Sequence, residues 1–388
     1  MSILPKVEAF ASDLTAIRQD LHAHPELGFE ETRTAGIVAE HLRAYGVDEV
    51  HEGLGGTGVV ALIKGQGGGN RRIGLRADMD ALPIVEASGV AYASTTPGKM
   101  HACGHDGHTT MLLGAARYLA QTRDFDGTAV LIFQPAEEGL GGARRMIEEG
   151  LFERFPVDEI YGMHNSPNGQ PGRVEITPGP AMAGASFFDI TVTGTGSHAA
   201  MPHQSKDPIV IATALVQQLQ SVVSRNTPPT KPLVLSVTKF NSGSAYNVVP
   251  ESAAIAGTIR YFHADVIEMA ETRIRELCAG MAAAYGVEIA VDLRNVFDVL
   301  QNDPELSQAY IEAAADVVGA DMAQITEDQA TGSEDFADML QVVPGAYCRI
   351  GHAGTVPLHN PAFVLDDAIL PVGAAVYARI IETRLKRN

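Results

Sequence analysis

The spacing of apolar residues changes along the chain from a purely helical pattern to an alternation of strands and helices. Residues 7–17 and 34–42 carry apolar side chains at the spacing of two helices, and Gly46 stands where the second helix is predicted to end. Residues 107–120 and 141–149 repeat the helical spacing. The predicted strands are residues 58–64, 73–77, 129–133 and 160–163. This alternation predicts an α/β fold with a mainly parallel sheet.

A different order of elements is predicted between residues 183 and 293. The elements are a strand at 187–192, a helix at 209–223, strands at 233–240 and 253–262, a helix at 266–285 and a strand at 287–293. This is the β-α-β-β-α-β order of a ferredoxin-like module. The α/β pattern then resumes, with a helix at 306–318, a strand at 346–350 and a helix at 366–385. We therefore predict a large α/β domain formed by residues 1–182 and 294–388, with a small domain, residues 183–293, inserted into it.

Composition excludes several classes of protein. The chain has 388 residues, of which 45% are hydrophobic, and a formal net charge of -19, so it lacks the basic surface expected for binding nucleic acid or an anionic membrane. No apolar run is long enough to span a bilayer. The first residues show no signal-peptide pattern, and Cys103, Cys278 and Cys348 are too few for a disulfide scaffold. We therefore expect a cytoplasmic protein.

Metal-binding types of side chain follow three of the predicted strands. They are Asp78 and Asp80 after the strand at 73–77, Glu137 and Glu138 after the strand at 129–133, and His164 after the strand at 160–163. In open α/β sheets, ligands bind outside the carboxyl ends of the strands. These positions are therefore the first candidates for a functional site.

The densest group of such side chains lies in the segment from His101 to His108, which leads into a predicted helix. Cys103 and His105 are two residues apart, so on an extended backbone both would point to the same side and reach one metal ion. Thiolate and imidazole suit zinc or a neighbouring transition metal better than magnesium or calcium. The alternative interpretation is that Cys103 is a small buried apolar residue and that the histidines cap the helix.

Glu137 and Glu138 could divide two tasks between them. Adjacent side chains on an extended segment point in opposite directions, so one carboxylate could bind metal while the other takes a proton from water. The alternative is that both acids lie in the first turn of the following helix, where the helix dipole favours them.

Seven segments, in the same order, together resemble the M20 metallopeptidase family. The similarity covers nearly the whole chain and is greatest to the amidohydrolase branch that contains hippurate hydrolases, N-acyl-amino-acid amidohydrolases and auxin-conjugate hydrolases. The segments are Leu75-Arg-Ala-Asp-Met-Asp-Ala-Leu-Pro83, His101-Ala-Cys-Gly-His-Asp-Gly-His108, Gln134-Pro-Ala-Glu-Glu-Gly139, Gly162-Met-His164, Gly196-Ser-His-Ala-Ala200, Asn247-Val-Val-Pro250 and Gly332-Ser-Glu-Asp-Phe336.

The resemblance implies two divalent metal ions per subunit, bound on the large domain, with zinc, manganese, cobalt and nickel all compatible with the ligands. It implies that Cys103 is shared between the ions and that Glu137 is the general base. The remaining implied ligands are His105, Glu138, His164 and His359. Without the resemblance, the sequence would not single out His359.

Two positions, Asp78 and Cys103, depart from the pattern of many family members. Where those proteins have His-x-Asp, this chain has Asp78-Met79-Asp80, and Cys103 stands where they often have a bridging carboxylate. Asp80 then corresponds to an acid that orients a ligand without binding metal. Asp78 replaces a ligand, and a solvated acid at the end of a strand is as good an interpretation as any functional one. A cysteine ligand would be open to oxidation without metal.

The inserted domain corresponds to the family's lid and dimerisation domain. His198 resembles the histidine that reaches into the partner subunit's active site and stabilises the oxyanion, which predicts a homodimer or a higher homo-oligomer. Asn247 and Arg260 resemble residues that bind the polar end of the substrate, since an arginine can bind both carboxylate oxygens. For Arg260 an ordinary surface ion pair is the alternative. Six histidines have no assigned role, namely His22, His24, His101, His108, His203 and His352.

The function that the resemblance implies is metal-dependent hydrolysis of the amide bond of N-acyl amino acids, small molecules such as hippurate or N-acetyl-amino acids. Alternative substrates are p-aminobenzoyl-glutamate or a dipeptide. Two other hypotheses are a thiol hydrolase with Cys103 as nucleophile, which leaves Glu137 and Glu138 without a role, and a non-catalytic metal-binding relative.

Overall fold

In a computed structural model, which describes residues 3–387, the chain divides into two compact units. The larger unit comprises the described residues up to Ala181, Gln301–Asp328, and the described residues from Asp335 onward. The smaller unit comprises Met182–Leu300 and Gln329–Glu334. Along the sequence, the smaller unit therefore interrupts the larger one twice.

The described chain contains both helices and strands along its whole length. The helices are α1 (Leu4–Glu8), α2 (Ala11–Ala23), α3 (Thr32–Tyr45), α4 (His105–Thr122), α5 (Gly142–Glu148), α6 (Leu151–Arg154), α7 (Pro208–Ser221), α8 (Ala264–Tyr285), α9 (Pro304–Val318), α10 (Phe336–Leu340) and α11 (Leu370–Arg384). The strands are β1 (Glu49–Leu54), β2 (Gly58–Lys64), β3 (Arg72–Asp78), β4 (Thr128–Gln134), β5 (Glu159–Ser166), β6 (Val174–Ile176), β7 (Gly179–Met182), β8 (Gly184–Thr193), β9 (Ser197–His198), β10 (Leu233–Ser242), β11 (Val248–Val249), β12 (Ser252–Tyr261), β13 (Glu288–Phe297), β14 (Leu300–Asn302), β15 (Ala323–Ile325) and β16 (Gly345–Gly351).

The larger unit is built on an eight-stranded sheet in the order β1-β2-β4-β3-β5-β16-β6-β15. Its four central strands, β4, β3, β5 and β16, run parallel, so their carboxyl ends lie along one edge. Strand β1 pairs antiparallel with β2, β2 with β4 and β6 with β16, whereas β15 pairs parallel with β6. The sheet is thus mixed, with the predicted parallel arrangement at its centre.

The central strands are buried on both faces, as parallel strands covered by helices usually are. All residues of β3 and β4 after the first are buried, and α4 is buried along most of its length. Helix α4 packs against α2, α3 and α11. Each fully buried leucine, such as Leu75 or Leu131, contributes roughly 1.5–3 kcal/mol to folding relative to an exposed one. This packing holds the ends of β3 and β4 and the beginning of α4 in fixed positions.

The smaller unit contains a four-stranded antiparallel sheet in the order β10-β12-β8-β13. Helices α7 and α8 pack on this sheet, and β12 alternates buried residues with more exposed ones, as expected for a sheet covered on one face. The short strands β9 and β11 pair with each other. The predicted β-α-β-β-α-β order is confirmed.

Two predicted helix boundaries are wrong. Residues 7–17 do not form one helix, because the Phe10 N–H bonds the Val7 carbonyl three residues back and tightens the turn between α1 and α2. Helix α4 begins at His105, before the predicted residue 107. Gly46 ends α3 with a left-handed φ of 78°, as predicted.

Across residues 3–387, no helix combines the length and the apolar character needed to cross a membrane.

Candidate metal centre

Five side chains of the larger unit meet at the carboxyl edge of the central strands. We call Cys103, His105, Glu138, His164 and His359 the donor cluster. They come from the segment before α4, the first residue of α4, the turn after β4, strand β5 and the loop after β16. The sequence predicts His164 just after the strand. In the structure it lies within β5, because the strand continues to Ser166.

Donor atoms in this cluster are close enough to share metal ions. The atoms of Cys103, His105 and His164 all lie within 4.8 Å of one another, and so do those of Cys103, Glu138 and His359. The Cys103 Sγ is 3.3 Å from His164 Nε2, and His359 Nε2 is 3.2 Å from Glu138 Oε1. Cys103 therefore belongs to two overlapping groups of potential ligands.

Unusual backbone conformations produce this arrangement. Gly104 has a φ of 95°, so the chain turns between Cys103 and the first residue of α4. The predicted extended backbone from Cys103 to His105 is therefore wrong, although both side chains do reach the cluster. His359 has a φ of 61°, and its N–H donates to the Ala102 carbonyl at 2.8 Å, which ties the two loops together.

Asp80 holds two members of the donor cluster with its two oxygens. Oδ1 is 3.1 Å from His105 Nδ1, and Oδ2 accepts the Glu138 N–H at 3.0 Å. Because a carboxylate only accepts, His105 carries its proton on Nδ1 and presents the lone pair of Nε2. His164 is oriented in the same way, since its Nδ1 donates to the Asn165 carbonyl at 2.7 Å.

The donor cluster fits divalent metal ions. His105 Nε2 is buried and makes no hydrogen bond within the described chain, which is costly unless another group binds it. Hydrogen bonds to Cys103 and Glu138 raise the pKa of His359 to about 10. Burial disfavours a charge on His105, but nearby Asp78 and Cys103 hold its pKa above the usual range. A bound metal ion would take the place of the extra proton that these raised pKa values favour on His105 and His359.

Glu137 lies beside the cluster. One of its carboxylate oxygens lies within 4.8 Å of the donor atoms of His105 and Glu138, and Oε1 accepts the Asp335 N–H at 3.3 Å. Both predictions for the Glu137 backbone, an extended segment or a helical first turn, are wrong. The two glutamates lie in a tight turn that follows Ala136, whose φ is 55°, and α5 begins only at Gly142.

Asp78 is not a solvated acid, as one interpretation of the sequence held. Its side chain is fully buried, and it accepts from Arg76 Nη1 at 2.8 Å and from His108 Nδ1 at 2.7 Å. Burial alone would raise its pKa, but His105, His108 and Arg76 together keep that pKa well below the usual value. Asp78 is thus a buried charge paired on two sides.

A model of peptidase family M20/M25/M40 matches residues 74–383. The chain belongs to this family. Hippurate hydrolase of Campylobacter jejuni is 40% identical over 386 residues, and the match covers 100% of both chains. N-acetylcysteine deacetylase of Bacillus subtilis is 38% identical and covers 96% of this chain and 97% of its own length. A solved structure described as a dinuclear metal binding peptidase from the M20 family, from Bacillus subtilis, is 34% identical, with a TM-score of 0.85 and coverage of 98% and 99%.

Three residues expected to act in this M20/M25/M40 family member lie in the smaller unit. His198, in β9, is exposed and pairs with Val248, next to Asn247, whose carbonyl accepts the Ala199 N–H at 3.0 Å. His198 and Asn247 are therefore neighbours. Arg260, in β12, borders a cavity of about 300 Å³ and donates to Thr258 Oγ1. No ion pair of Arg260 is found within the described residues, so the surface ion pair considered from sequence is not present.

Sequence reasoning left His108 and Asn165 without a role. His108 lies three residues after His105 and therefore on the same face of α4. Its Nε2 accepts the Asn165 N–H at 2.9 Å. Its spacing from His105 would have indicated that His108 faces the same site, had the start of α4 been predicted correctly. Its partner Asn165 lies 57 residues away in sequence, and no local pattern indicates that contact.

Proposed function

We propose that this chain is a metal-dependent amidohydrolase that cleaves the amide bond of N-acyl amino acids and releases a carboxylic acid and an amino acid. The observation that carries the proposal is that Cys103 is shared by two groups of close donor atoms, with Glu137 beside them. The relatives named hippurate hydrolase and N-acetylcysteine deacetylase support the substrate class, because both match nearly the full length of the chain.

The donor cluster would hold two divalent ions. Cys103 would contact both ions, His105 and His164 would complete one site, and Glu138 and His359 would complete the other in the simplest assignment. The solved relative described as a dinuclear metal binding peptidase supports this number. Thiolate, imidazole and carboxylate suit zinc, manganese, cobalt or nickel.

We assign the proton transfers to Glu137. Its carboxylate would take a proton from the attacking water and deliver it to the amide nitrogen as the carbon–nitrogen bond breaks. When bound, the two ions would polarise the amide carbonyl and make the water more acidic. The Asp335 N–H holds Glu137 Oε1 and so fixes the direction of the carboxylate. Asp80 keeps the Nε2 lone pair of His105 available by accepting from Nδ1–H.

The smaller unit would supply substrate contacts. His198 would donate to the oxyanion that forms on the amide oxygen, acting in the active site of a partner subunit, so we propose a homodimer. Its exposure is consistent with a role outside its own unit's core. Asn247 and Arg260 would bind the carboxylate of the amino-acid part of the substrate.

A thiol hydrolase is the less favoured mechanism. Burial raises the pKa of the Cys103 thiol, whereas a nucleophilic cysteine needs a lowered pKa. Persistence of amide cleavage in a strong chelator would nevertheless favour it.

The test is hydrolysis of a panel of hippurate, N-acetyl-amino acids, p-aminobenzoyl-glutamate and dipeptides, before and after chelation. We expect cleavage of at least one N-acyl amino acid, loss of cleavage with chelator, and recovery with zinc, manganese, cobalt or nickel. Cleavage of dipeptides alone would contradict the substrate class, whereas cleavage of p-aminobenzoyl-glutamate alone would restrict the acyl group within it. A protein that binds metal but cleaves nothing would contradict the catalytic assignment and favour a binding role.

A further inference from the structure

Asn165, for which the sequence predicts no role, contacts two residues of the donor cluster. It follows His164 in β5, is 98% buried, and its carbonyl accepts the His164 Nδ1–H at 2.7 Å. Its side-chain Nδ2 donates to the Cys103 carbonyl at 2.6 Å. One residue therefore touches the ring of one donor and the backbone of another.

The side chain of Asn165 is held from two directions. His108 Nε2 accepts the Asn165 backbone N–H at 2.9 Å and lies 3.0 Å from Nδ2. On the other side, His352 Nε2 is 3.1 Å from Oδ1, and because an amide oxygen only accepts, His352 carries its proton on Nε2. The Asn165 amide is thereby fixed with Nδ2 toward Cys103.

His108 is in turn held by a buried charged pair. Since its Nε2 accepts from Asn165, its proton is on Nδ1, which donates to Asp78 Oδ1 at 2.7 Å. Arg76 Nη1 donates to Asp78 Oδ2 at 2.8 Å, and Thr109 Oγ1 donates to the Asp78 carbonyl at 2.7 Å. A continuous chain of hydrogen bonds thus runs from Arg76 through Asp78 and His108 to Asn165.

Gly104 leaves room for this contact. A Cβ added at Gly104 would lie 2.3 Å from Asn165 Nδ2, far closer than two such atoms can approach. The glycine between Cys103 and His105 therefore serves two needs: the left-handed turn and the approach of the Asn165 amide to the Cys103 carbonyl.

We propose that Asn165, oriented by His108 and Asp78, is a positioning residue that sets the direction of both Cys103 and His164 toward the metal ions. The proposal rests on the proposed function, because it concerns the same metal centre. It gives Asp78 a role in place of direct metal binding. Residues that orient metal ligands in this way typically change metal affinity by about 10–100-fold when they are removed.

The test measures Co²⁺ binding to the full-length apoprotein. Thiolate bound to Co²⁺ produces charge-transfer absorption, so the titration reports the Cys103 contact directly, without turnover. We expect Asn165→Ala to weaken Co²⁺ binding by about 10–100-fold and to alter the charge-transfer band. Asn165→Ser, which is too short to reach the Cys103 carbonyl, should do the same if the alanine variant does not fold. His108→Phe should weaken binding in the same direction.

Asn302 provides a matched control. Its side chain is fully buried in the same unit, with Nδ2 donating to the Thr177 and Tyr347 carbonyls at 2.9 and 3.1 Å and Oδ1 accepting the Tyr347 N–H at 2.7 Å. Asn302→Ala therefore removes a comparable set of buried hydrogen bonds, and urea unfolding of the apoproteins compares their stability. We expect this variant to bind Co²⁺ as the wild type does.

The proposal is overturned if folded Asn165 variants have the Co²⁺ affinity and spectrum of Asn302→Ala. The proposal is also overturned if the Asn165 variants and Asn302→Ala all lose Co²⁺ affinity in proportion to their loss of stability, because that would show a general structural effect. If the wild-type protein itself shows no thiolate–Co²⁺ band, the metal centre of the proposed function is wrong, and the positioning role falls with it.

Discussion

Glu137 and Glu138 are adjacent in sequence, yet they have different surroundings. The Glu138 N–H is held by Asp80, and its Oε1 is 3.2 Å from His359 Nε2, so its carboxylate points into the donor cluster. Glu137 Oε1 instead accepts the Asp335 N–H. Their division of tasks was predicted from sequence, but on an extended backbone. The left-handed Ala136 in front of them, which no sequence pattern indicated, produces the actual turn.

Replacing Glu137 should separate metal binding from catalysis. Glu137→Gln keeps the size of the side chain but cannot take up a proton, so we expect two bound ions per subunit and a kcat lowered by about 10²–10⁴-fold. Elemental analysis and steady-state kinetics measure the two quantities. Glu138→Gln is the control and should lower the metal content. Turnover near the wild-type rate in Glu137→Gln would show that another group is the base.

Asp78 and His359 show how far single residues could be interpreted from sequence. The sequence allowed Asp78 to be a solvated acid at the end of a strand, but β3 is buried to its last residue, and Asp78 is paired with Arg76 and His108. His359 was found only through resemblance to a family. Its approach to Glu138 depends on the left-handed conformation of His359 itself, whose φ is 61°, and nothing in the local sequence indicates that conformation.

At the scale of elements, the central strands were predicted well, but the outer strands β1, β6 and β15 and the turns beside the central strands were not. Residues 73–77 and 129–133 lie inside β3 and β4, because continuous apolar runs identify strands buried on both faces. The segment between Cys103 and His105 was predicted as extended. A spacing of two residues fits that geometry, and it also fits a turn at a glycine followed directly by a helix. The φ of 95° at Gly104 and the start of α4 at His105 show that the second geometry is the one adopted.

Gly104→Ala should destabilise the connection into α4. Its φ of 95° is strained for alanine, and the new Cβ would meet the Asn165 amide at 2.3 Å, so we expect a loss of at least about 1–3 kcal/mol in the free energy of unfolding. Urea unfolding of the apoprotein measures it.

Gly36→Ala is the control for that variant. Gly36 is exposed in the middle of α3, and an added Cβ would meet nothing within 4 Å. We expect it to stabilise the protein by about 0.5–1 kcal/mol. Equal effects of the two alanine substitutions would show that the Gly104 turn is not constrained as described.

At the scale of the whole molecule, the proposed dimer makes a prediction that monomeric catalysis does not. If His198 acts in the partner's active site, a mixed dimer of Glu137→Gln and His198→Ala subunits contains one site with both residues intact. Two nearly inactive variants, denatured and refolded together, should then recover about a quarter of the wild-type activity, since half of the dimers are mixed.

The same experiment distinguishes action within one subunit. In that case every site in the mixture lacks one of the two residues, and the activity should equal the mean of the two variants. Light scattering should show a dimer in each sample. A monomer, or a mixture without recovery, would contradict the role proposed for His198.

The account depends most on a two-ion centre that performs amide hydrolysis. The measurement that tests it most directly is the titration of the apoprotein with Mn²⁺, Zn²⁺, Co²⁺ or Ni²⁺ while the hydrolysis of an N-acyl amino acid such as hippurate is followed. We expect no activity without metal and a rise that reaches its maximum at two ions per subunit. Activity that persists in the metal-free protein, or a metal-loaded protein that cleaves no N-acyl amino acid, would contradict the account.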